Sequence, residues 1–150
     1  MAKSLLKTLT IIHIGLVSGL VIFTVFAVFT TNAFIAQTAD QSVWIYVTPI
    51  VAATAYFMSQ FIFRKNLEAI NRQTGLDEKL KTYMTASIVK YAILEGAGLL
   101  AIVAYFLSGN ALHLTLAIAL IAYLLVQRPT TGKVLKDLPL TRSEEQELNS

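Results

Sequence analysis

Long apolar runs alternate with short polar segments along this chain. Four runs stand out, at residues 9–29, 43–63, 84–107 and 111–126. About 20 consecutive apolar residues are needed to cross a bilayer as an α-helix. The pattern therefore predicts four membrane-spanning helices that follow one another closely.

The first apolar run follows Lys3 and Lys7, an arrangement that also occurs in secretory signal peptides. The apolar region of a signal peptide usually covers only about 7–15 residues, which is shorter than the run at residues 9–29. We therefore expect this run to be an uncleaved first transmembrane helix.

The basic residues indicate how the helices are oriented. Nearly all of them lie at the N-terminus, in the connection at residues 64–81 or in the tail, and Lys90 is the exception. A four-span arrangement puts these three segments on one side of the membrane, and positively charged connections stay in the cytoplasm. We therefore expect both termini to be cytoplasmic.

The basic connection should also contain the ends of two helices that project beyond the bilayer. We expect residues 66–72 to continue the second helix and Gly75 to mark the break. Thr74 or Asp77 is expected to cap the start of the third helix.

Together these patterns predict an all-α fold, an antiparallel four-helix transmembrane bundle over residues 1–128. A cytoplasmic tail, residues 129–150, follows it. Thr141 and Glu144 have the spacing of a capping box, which predicts a short C-terminal helix. A helix this short is marginal by itself, so it should either fray or dock through its leucines.

Composition supports a membrane protein and narrows the possible partners. Hydrophobic residues make up 55% of the chain and charged residues 14%, and the mean hydropathy of +0.63 is too high for a soluble domain. The basic residues lie beside apolar runs rather than on one face of a soluble element, so no nucleic-acid partner is expected. The chain has no cysteine, which excludes disulfides and thiolate metal sites.

The third apolar run carries two ionisable residues, Lys90 and Glu95. Charged side chains inside a bilayer are costly and usually face a bundle interior, a wet cavity or a partner. We therefore expect the other helices to surround this one. Five residues correspond to about 140° around a helix, so Lys90 and Glu95 are not a pair on one face. Lys90 is close enough to the end of the run to snorkel toward the headgroups.

Glu95 lies nearer the middle of its run, and two interpretations of it are open. In the first it is a protonated carboxyl, hydrogen-bonded to Tyr91, to a backbone carbonyl, or to Thr54 or Tyr56 of the second span. In the second it is a proton or cation site. Desolvation disfavours the charged form of a carboxyl, so we expect Glu95 to be mostly protonated at neutral pH.

The two histidines do not indicate a metal centre. His13 and His113 fall near opposite ends of different predicted helices, so we expect no metal or haem site. For His13 a satisfied polar residue near the headgroups is the favoured interpretation, and a proton relay is the alternative.

Small residues mark the predicted helix-packing faces. Gly15 and Gly19 form a small-xxx-small pair with Ser18 beside them, which lets another helix backbone approach closely. In the third span alanines form a narrow stripe on the side away from Glu95, and Lys90 falls on that stripe. The small residues expected to pack in this span are Gly96, Ala97, Gly98 and Ala101.

The segment at residues 92–104 resembles the carboxylate-bearing helix of the proteolipid (c-type) subunits of rotary ATPases. It has a glutamate among small residues, Glu95-Gly96-Ala97-Gly98. The resemblance implies a proton- or sodium-binding carboxylate at Glu95. It covers under a fifth of the chain, and Lys90 is foreign to the pattern.

A second resemblance covers most of the chain and rests on four segments. They are residues 90–96, the turn at residues 108–110, the Arg128-Pro129-Thr130 stop and residues 137–140. These segments resemble a family of small, uncharacterised four-helix bacterial inner-membrane proteins. The resemblance implies the fold and a bacterial inner-membrane location, but no activity.

No nucleophile–base arrangement, nucleotide-binding glycine loop or metal spacing appears in the sequence. We therefore expect neither enzymatic activity nor a cofactor. The favoured interpretation is an accessory or structural subunit that acts as a homo-oligomer or within a larger membrane complex. The alternative is a small proton- or ion-coupled transport component that uses Glu95.

Overall fold

The computed structural model describes residues 2–36 and 42–149, and the part of the chain that it describes is built from six helices. The first four carry the apolar runs, and the last two belong to the tail. In chain order they are α1 (Ala2–Thr31), α2 (Trp44–Glu68), α3 (Leu76–Ser108), α4 (Ala111–Val126), α5 (Thr131–Asp137) and α6 (Arg142–Asn149).

Three of these helices, α1, α2 and α3, are long and apolar enough to cross a membrane. α4 has 16 residues, which corresponds to about 24 Å at a rise of 1.5 Å per residue. It is followed by α5 after a bend of 83°, and the two together are a fourth candidate span. The all-α class predicted from the sequence is therefore confirmed. Three helices, or four if the bent pair counts as one span, have the length and apolar character that the sequence predicts for membrane-spanning helices.

α3 is the central helix of the fold. It packs along α1, α2 and α4, whereas α1 and α2 hardly touch each other. The other three long helices do pack on the third one, as expected, but they leave one of its sides exposed. Its alanine stripe is buried against them, with Ala86, Ala97, Ala101 and Ala104 all inaccessible or nearly so. Small side chains on α3 let the neighbouring helices come close.

α1 and α3 run in the same direction in a constant register. The rings of His13 and Tyr91 lie 4.9 Å apart. Seven residues further along both helices, Leu20 contacts Gly98. Toward the ends of the two helices, Phe26 stacks on Phe106 at 6.2 Å. Each residue of α1 therefore lies level with the residue of α3 about 78 positions later.

At the end of the protein where α1 meets the α3–α4 turn, backbone hydrogen bonds join the segment after α1 to that turn. The amide of Ile35 donates to the carbonyl of Gly109 at 2.9 Å, and the amide of Ala111 donates to the carbonyl of Ile35 at 2.9 Å. Gly109 ends α3 at φ +66, a left-handed conformation that favours glycine. Asn110 then caps α4 through its side chain, which accepts from the amide of Leu112. We call this end the loop end.

The opposite end, which we call the basic end, contains the N-terminal part of α1, the α2–α3 connection and the tail. α2 stops at Glu68, so residues 69–72 do not continue it as predicted. Gly75 does mark the break, but it occupies the N-cap position of α3 itself. The predicted caps by Thr74 and Asp77 are wrong. An extended backbone at Gly75 starts the helix without any side-chain hydrogen bond.

The tail is docked on the basic end. Oε2 of Glu144 accepts from the amide of Thr141 at 2.7 Å, as expected of a capping box, and α6 begins at the next residue. Leu138, Leu140 and Leu148 are buried in the same hydrophobic cluster as Leu76 and Leu80 of α3. Of the two outcomes predicted for the C-terminal helix, docking through leucines is the one observed.

Candidate functional site

Glu95 lies on the outer side of α3 rather than inside the helix assembly. Its side chain is half-buried, whereas Leu94 next to it is fully buried. Within residues 2–36 and 42–149 it has no hydrogen-bond partner. Tyr91, Thr54 and Tyr56, the partners considered from the sequence, form no bond with it. A hydrogen-bond partner for this carboxyl must therefore come from outside the described part of the chain.

Lys90 points the other way, as its 140° separation from Glu95 requires. It is 6% exposed, and its Nζ donates to Oε1 of Gln127 at 2.6 Å. The same ammonium lies 4.5 Å from the centre of the Phe63 ring, within the range of a cation–π interaction. Lys90 thus reaches the end of α4 but does so inside the protein rather than by snorkelling along its surface.

Tyr91 and His13 join α3 and α1 to the end of α4. The Tyr91 hydroxyl donates to the carbonyl of Gln127 at 2.9 Å. Nε2 of His13 is 2.8 Å from the carbonyl of Leu124. A carbonyl only accepts, so Nε2 is the donor in this hydrogen bond. His13 is 2% exposed, and its Nδ1 has no partner in the described part of the chain.

These contacts form one polar cluster at the basic end of α1, α3 and α4: His13, Lys90, Tyr91 and Gln127. Three hydrogen bonds of the cluster use acceptors at the end of α4: the carbonyls of Leu124 and Gln127 and the side chain of Gln127. Lysine and donor side chains are favourable there because the helix dipole is negative at that end. The cluster therefore fixes the position of α4 against α1 and α3.

Thr54 and Tyr56 point to different faces of α2, and neither reaches Glu95. Thr54 lines a groove of about 350 Å³ between α2 and α3, together with Ala92 and Gly96. The Tyr56 ring lies 4.9 Å from the ring of Tyr123 on α4. Tyr123 also accepts a hydrogen bond from the side chain of Gln60. Tyr56 thus belongs to the contact between α2 and α4.

The small residues divide into two groups. Ala97, Gly98 and Ala101 are buried, and a Cβ added at Gly98 would come within 3.3 Å of the Leu20 side chain. In contrast, no atom lies within 4 Å of a Cβ added at Gly15, Gly19 or Gly96. Ser18 is exposed on the same outer face of α1 as the two glycines. Within residues 2–36 and 42–149, a side chain added at any of these three glycines would therefore enter open space.

Sequence reasoning missed Gln127 and Phe63 as partners of Lys90. The available signal was weak: Gln127 is the one uncharged polar residue between the fourth apolar run and Arg128. A buried ammonium needs an acceptor, and only the packing of α3 on α4 shows which residue supplies it.

The histidines lie apart, as expected. His13 belongs to the cluster at the basic end, whereas His113 is buried in the first turn of α4 at the loop end. Among the described residues no group of three or more histidine, aspartate and glutamate side chains has the arrangement of a metal site.

The polar cluster and Glu95 thus represent two kinds of ionisable site on the apolar helices. The first kind is satisfied within the chain and positions its helices. The second is presented outward at mid-helix.

Comparisons with protein-family models, curated protein sequences and solved structures find no match to this chain.

Proposed function

We propose that this protein is a non-enzymatic subunit of the bacterial inner membrane that acts by assembling with other membrane helices. Its membrane domain would be an antiparallel four-helix bundle. The register of α1 with α3 and the tight turn between α3 and α4 support that arrangement.

The observation that carries the proposal is the position of Glu95. It lies halfway along an apolar helix, on the outer side, without a hydrogen-bond partner among the described residues. Polar groups facing hydrocarbon are expensive and usually face a bundle interior, a wet cavity or a partner. Because the described part of the chain leaves Glu95 half-exposed and without a hydrogen-bond partner, a helix from another chain is the natural source of that partner.

The proposed orientation places both termini in the cytoplasm. The basic segments gather at one end of the structure, where Lys79 of α3 also pairs with Glu144 of the tail. The described segments of the loop end, residues 32–36 and 108–110, carry no lysine or arginine. This asymmetry supports the positive-inside orientation, and the resemblance to small bacterial inner-membrane proteins supports the location.

The proposal is tested by the mass of the protein in its native surroundings. The protein should be extracted from its own membranes in a mild detergent or in lipid-bound polymer discs, and the particle mass should be measured together with its composition. We expect several copies, or a stoichiometric companion. A particle holding a single copy and lipid would contradict the proposal.

A further inference from the structure

The exposed side of α3 has the spacing of a helix-pairing seam. From Thr85 to Phe106 its exposed positions follow one another at alternating intervals of four and three residues, the heptad spacing of paired helices. We call this set the α3 seam: Thr85, Val89, Ala92, Gly96, Leu99, Val103 and Phe106. It runs for about 32 Å at 1.5 Å per residue, close to the hydrocarbon thickness of about 30 Å. A helix that packed here would follow α3 across the membrane.

The α3 seam is recessed between α1 and α2. Its larger members, Val89, Leu99, Val103 and Phe106, are only 37–39% exposed, because helices stand on both sides. On the α1 side Phe26 stacks on Phe106. On the α2 side lies the 350 Å³ groove that contains Ala92 and Gly96. Two recessed seams cannot meet face to face, so the occupant must present a protruding helix.

The centre of the seam is shaped for close approach. Ala92 and Gly96 form a small-xxx-small pair, and space is open above Gly96. Such pairs let two helix backbones pack directly against each other. Glu95 lies beside Gly96, at the position that flanks a heptad seam and contacts the partner helix. The occupant should therefore have small residues and a hydrogen-bond donor at this depth.

The outer face of α1 has these properties. Gly15, Ser18 and Gly19 are exposed there, with no atom within 4 Å of an added Cβ at either glycine. The register of α1 with α3 puts Ser18 level with Gly96 and within one residue of Glu95. Copies of one protein share orientation and depth in a bilayer. The Ser18 hydroxyl of a second copy is therefore at the height that Glu95 requires.

We propose that a second copy of this chain packs the Gly15–Ser18–Gly19 face of its α1 into the α3 seam, where its Ser18 hydroxyl donates to Glu95. The interface is head-to-tail, because one copy contributes α1 and the other contributes α3. Such an interface closes into a ring or continues as a chain of copies. This inference rests on the proposed function and identifies the partner as the protein itself.

Engineered cysteines test the interface, because the chain has none of its own. Copies with Ser18→Cys and copies with Gly96→Cys, carrying different tags, should be expressed together and oxidised in native membranes. A disulfide needs Cα atoms about 4.4–6.8 Å apart. We expect a cross-linked dimer that contains both tags, formed several-fold more efficiently than in the control pair.

The control pair combines Ser18→Cys with Ile118→Cys. Ile118 is 54% exposed on α4. Gln127, just after the end of α4, lies level with Lys90 of α3, and α4 returns from the turn at Gly109. Ile118 therefore lies near the depth of Leu99. It faces the membrane away from the α3 seam. Random collisions would therefore cross-link both pairs equally, and that result would overturn the inference.

Two further measurements separate the possible failures. If Gly96→Cys copies cross-link to one another but not to Ser18→Cys copies, the assembly is two-fold and the head-to-tail interface is wrong. If native particles hold several copies but the mixed dimer forms no more efficiently than in the control pair, the proposed function is supported and this interface is wrong. If native particles hold a single copy without a companion, both the proposed function and this interface are wrong. Ser18→Leu, which fills the close contact, should reduce the particle to single copies, whereas Ile118→Leu should not.

Discussion

Nζ of Lys79 lies 2.9 Å from Oε2 of Glu144, so an ion pair joins α3 to α6 across 65 positions of the chain. The lysine side chain is fully buried and the carboxylate is 14% exposed. The ammonium also donates to the carbonyl of Pro139 at 3.1 Å. The tail is therefore held on α3 by a buried ion pair as well as by its leucines.

This ion pair makes tail docking sensitive to acid. Burial alone would raise the pKa of Glu144, but bonds from the Thr141 amide and from Lys79, together with the lysine charge, outweigh it and the pKa is lowered. A carboxyl with a lowered pKa in the folded state stabilises that state fully above its unfolded pKa and loses this contribution as pH falls through the lowered value. We expect hydrogen exchange of α6 to accelerate in acid below the ordinary glutamate range.

Glu144→Gln should loosen α6 at neutral pH as well, because it leaves the Lys79 ammonium buried without its counterion. Hydrogen bonds to charged groups contribute about 1.5–3 kcal/mol, so exchange of the α6 amides should accelerate by one to two orders of magnitude at about 1.4 kcal/mol per tenfold. Glu145→Gln, an exposed neighbour, is the matched control and should change little. Equal exchange in both variants would show that the leucines alone hold the tail.

A second prediction concerns Lys90 and Gln127. Gln127→Leu removes the acceptor of the buried ammonium but keeps the backbone carbonyl that binds Tyr91. We expect a loss of about 1.5–3 kcal/mol in the free energy of unfolding in detergent. The double variant Lys90→Met with Gln127→Leu removes the charge together with its acceptor and should regain much of that loss. Additive effects of the two substitutions would show that the residues do not interact.

A third prediction separates two glycines that are neighbours in sequence. Gly98→Leu must push against Leu20, which already lies 3.3 Å from the position of an added Cβ. Overpacking of this kind costs about 1–3 kcal/mol. Gly96→Leu enters open space and should leave the thermal unfolding of dilute, single-copy protein unchanged. An equal drop in melting temperature in both variants would contradict the packing of α1 on α3.

A fourth prediction concerns topology. Reporter fusions after Arg72 should be active in the cytoplasm, and fusions after Gly109 should be active outside. Both sites lie within the described residues, whereas Gln37 and Ser150, which would serve the same purpose, lie outside them. A fusion after Arg72 that reports an external location would overturn the proposed orientation.

A fifth prediction separates assembly from transport. Glu95→Gln keeps the shape of the side chain and still accepts a hydrogen bond, so assembly and stability should match the wild type. Vesicles that contain either protein should show no proton or ion flux beyond that of empty vesicles. Flux in the wild type that Glu95→Gln abolishes would establish the transport role and displace the proposed function. Glu95→Ala removes the acceptor and should weaken assembly.

Much of the local structure was predictable because it depends on neighbours in sequence. The length and apolar character of α1, α2 and α3 follow from hydrophobic runs. The left-handed end of α3 at Gly109 and the start of α6 at Thr141 follow from residue types that suit those backbone positions. The end of α2 was predicted too late. Nothing in residues 69–72 prohibits a helix, yet α2 ends at Glu68.

The sequence by itself determined that Lys90 and Glu95 point about 140° apart, because helical geometry alone sets that angle. Only the tertiary structure decided which of them is inside. The end of α4 and Phe63 pack on the side of Lys90 and supply an acceptor and a ring. On the other side α1 and α2 hardly touch each other, so Glu95 stays half-exposed and the α3 seam is open. The physical reason is that helical periodicity determines which residues share a face, whereas the burial of each face depends on helices that are distant in the chain.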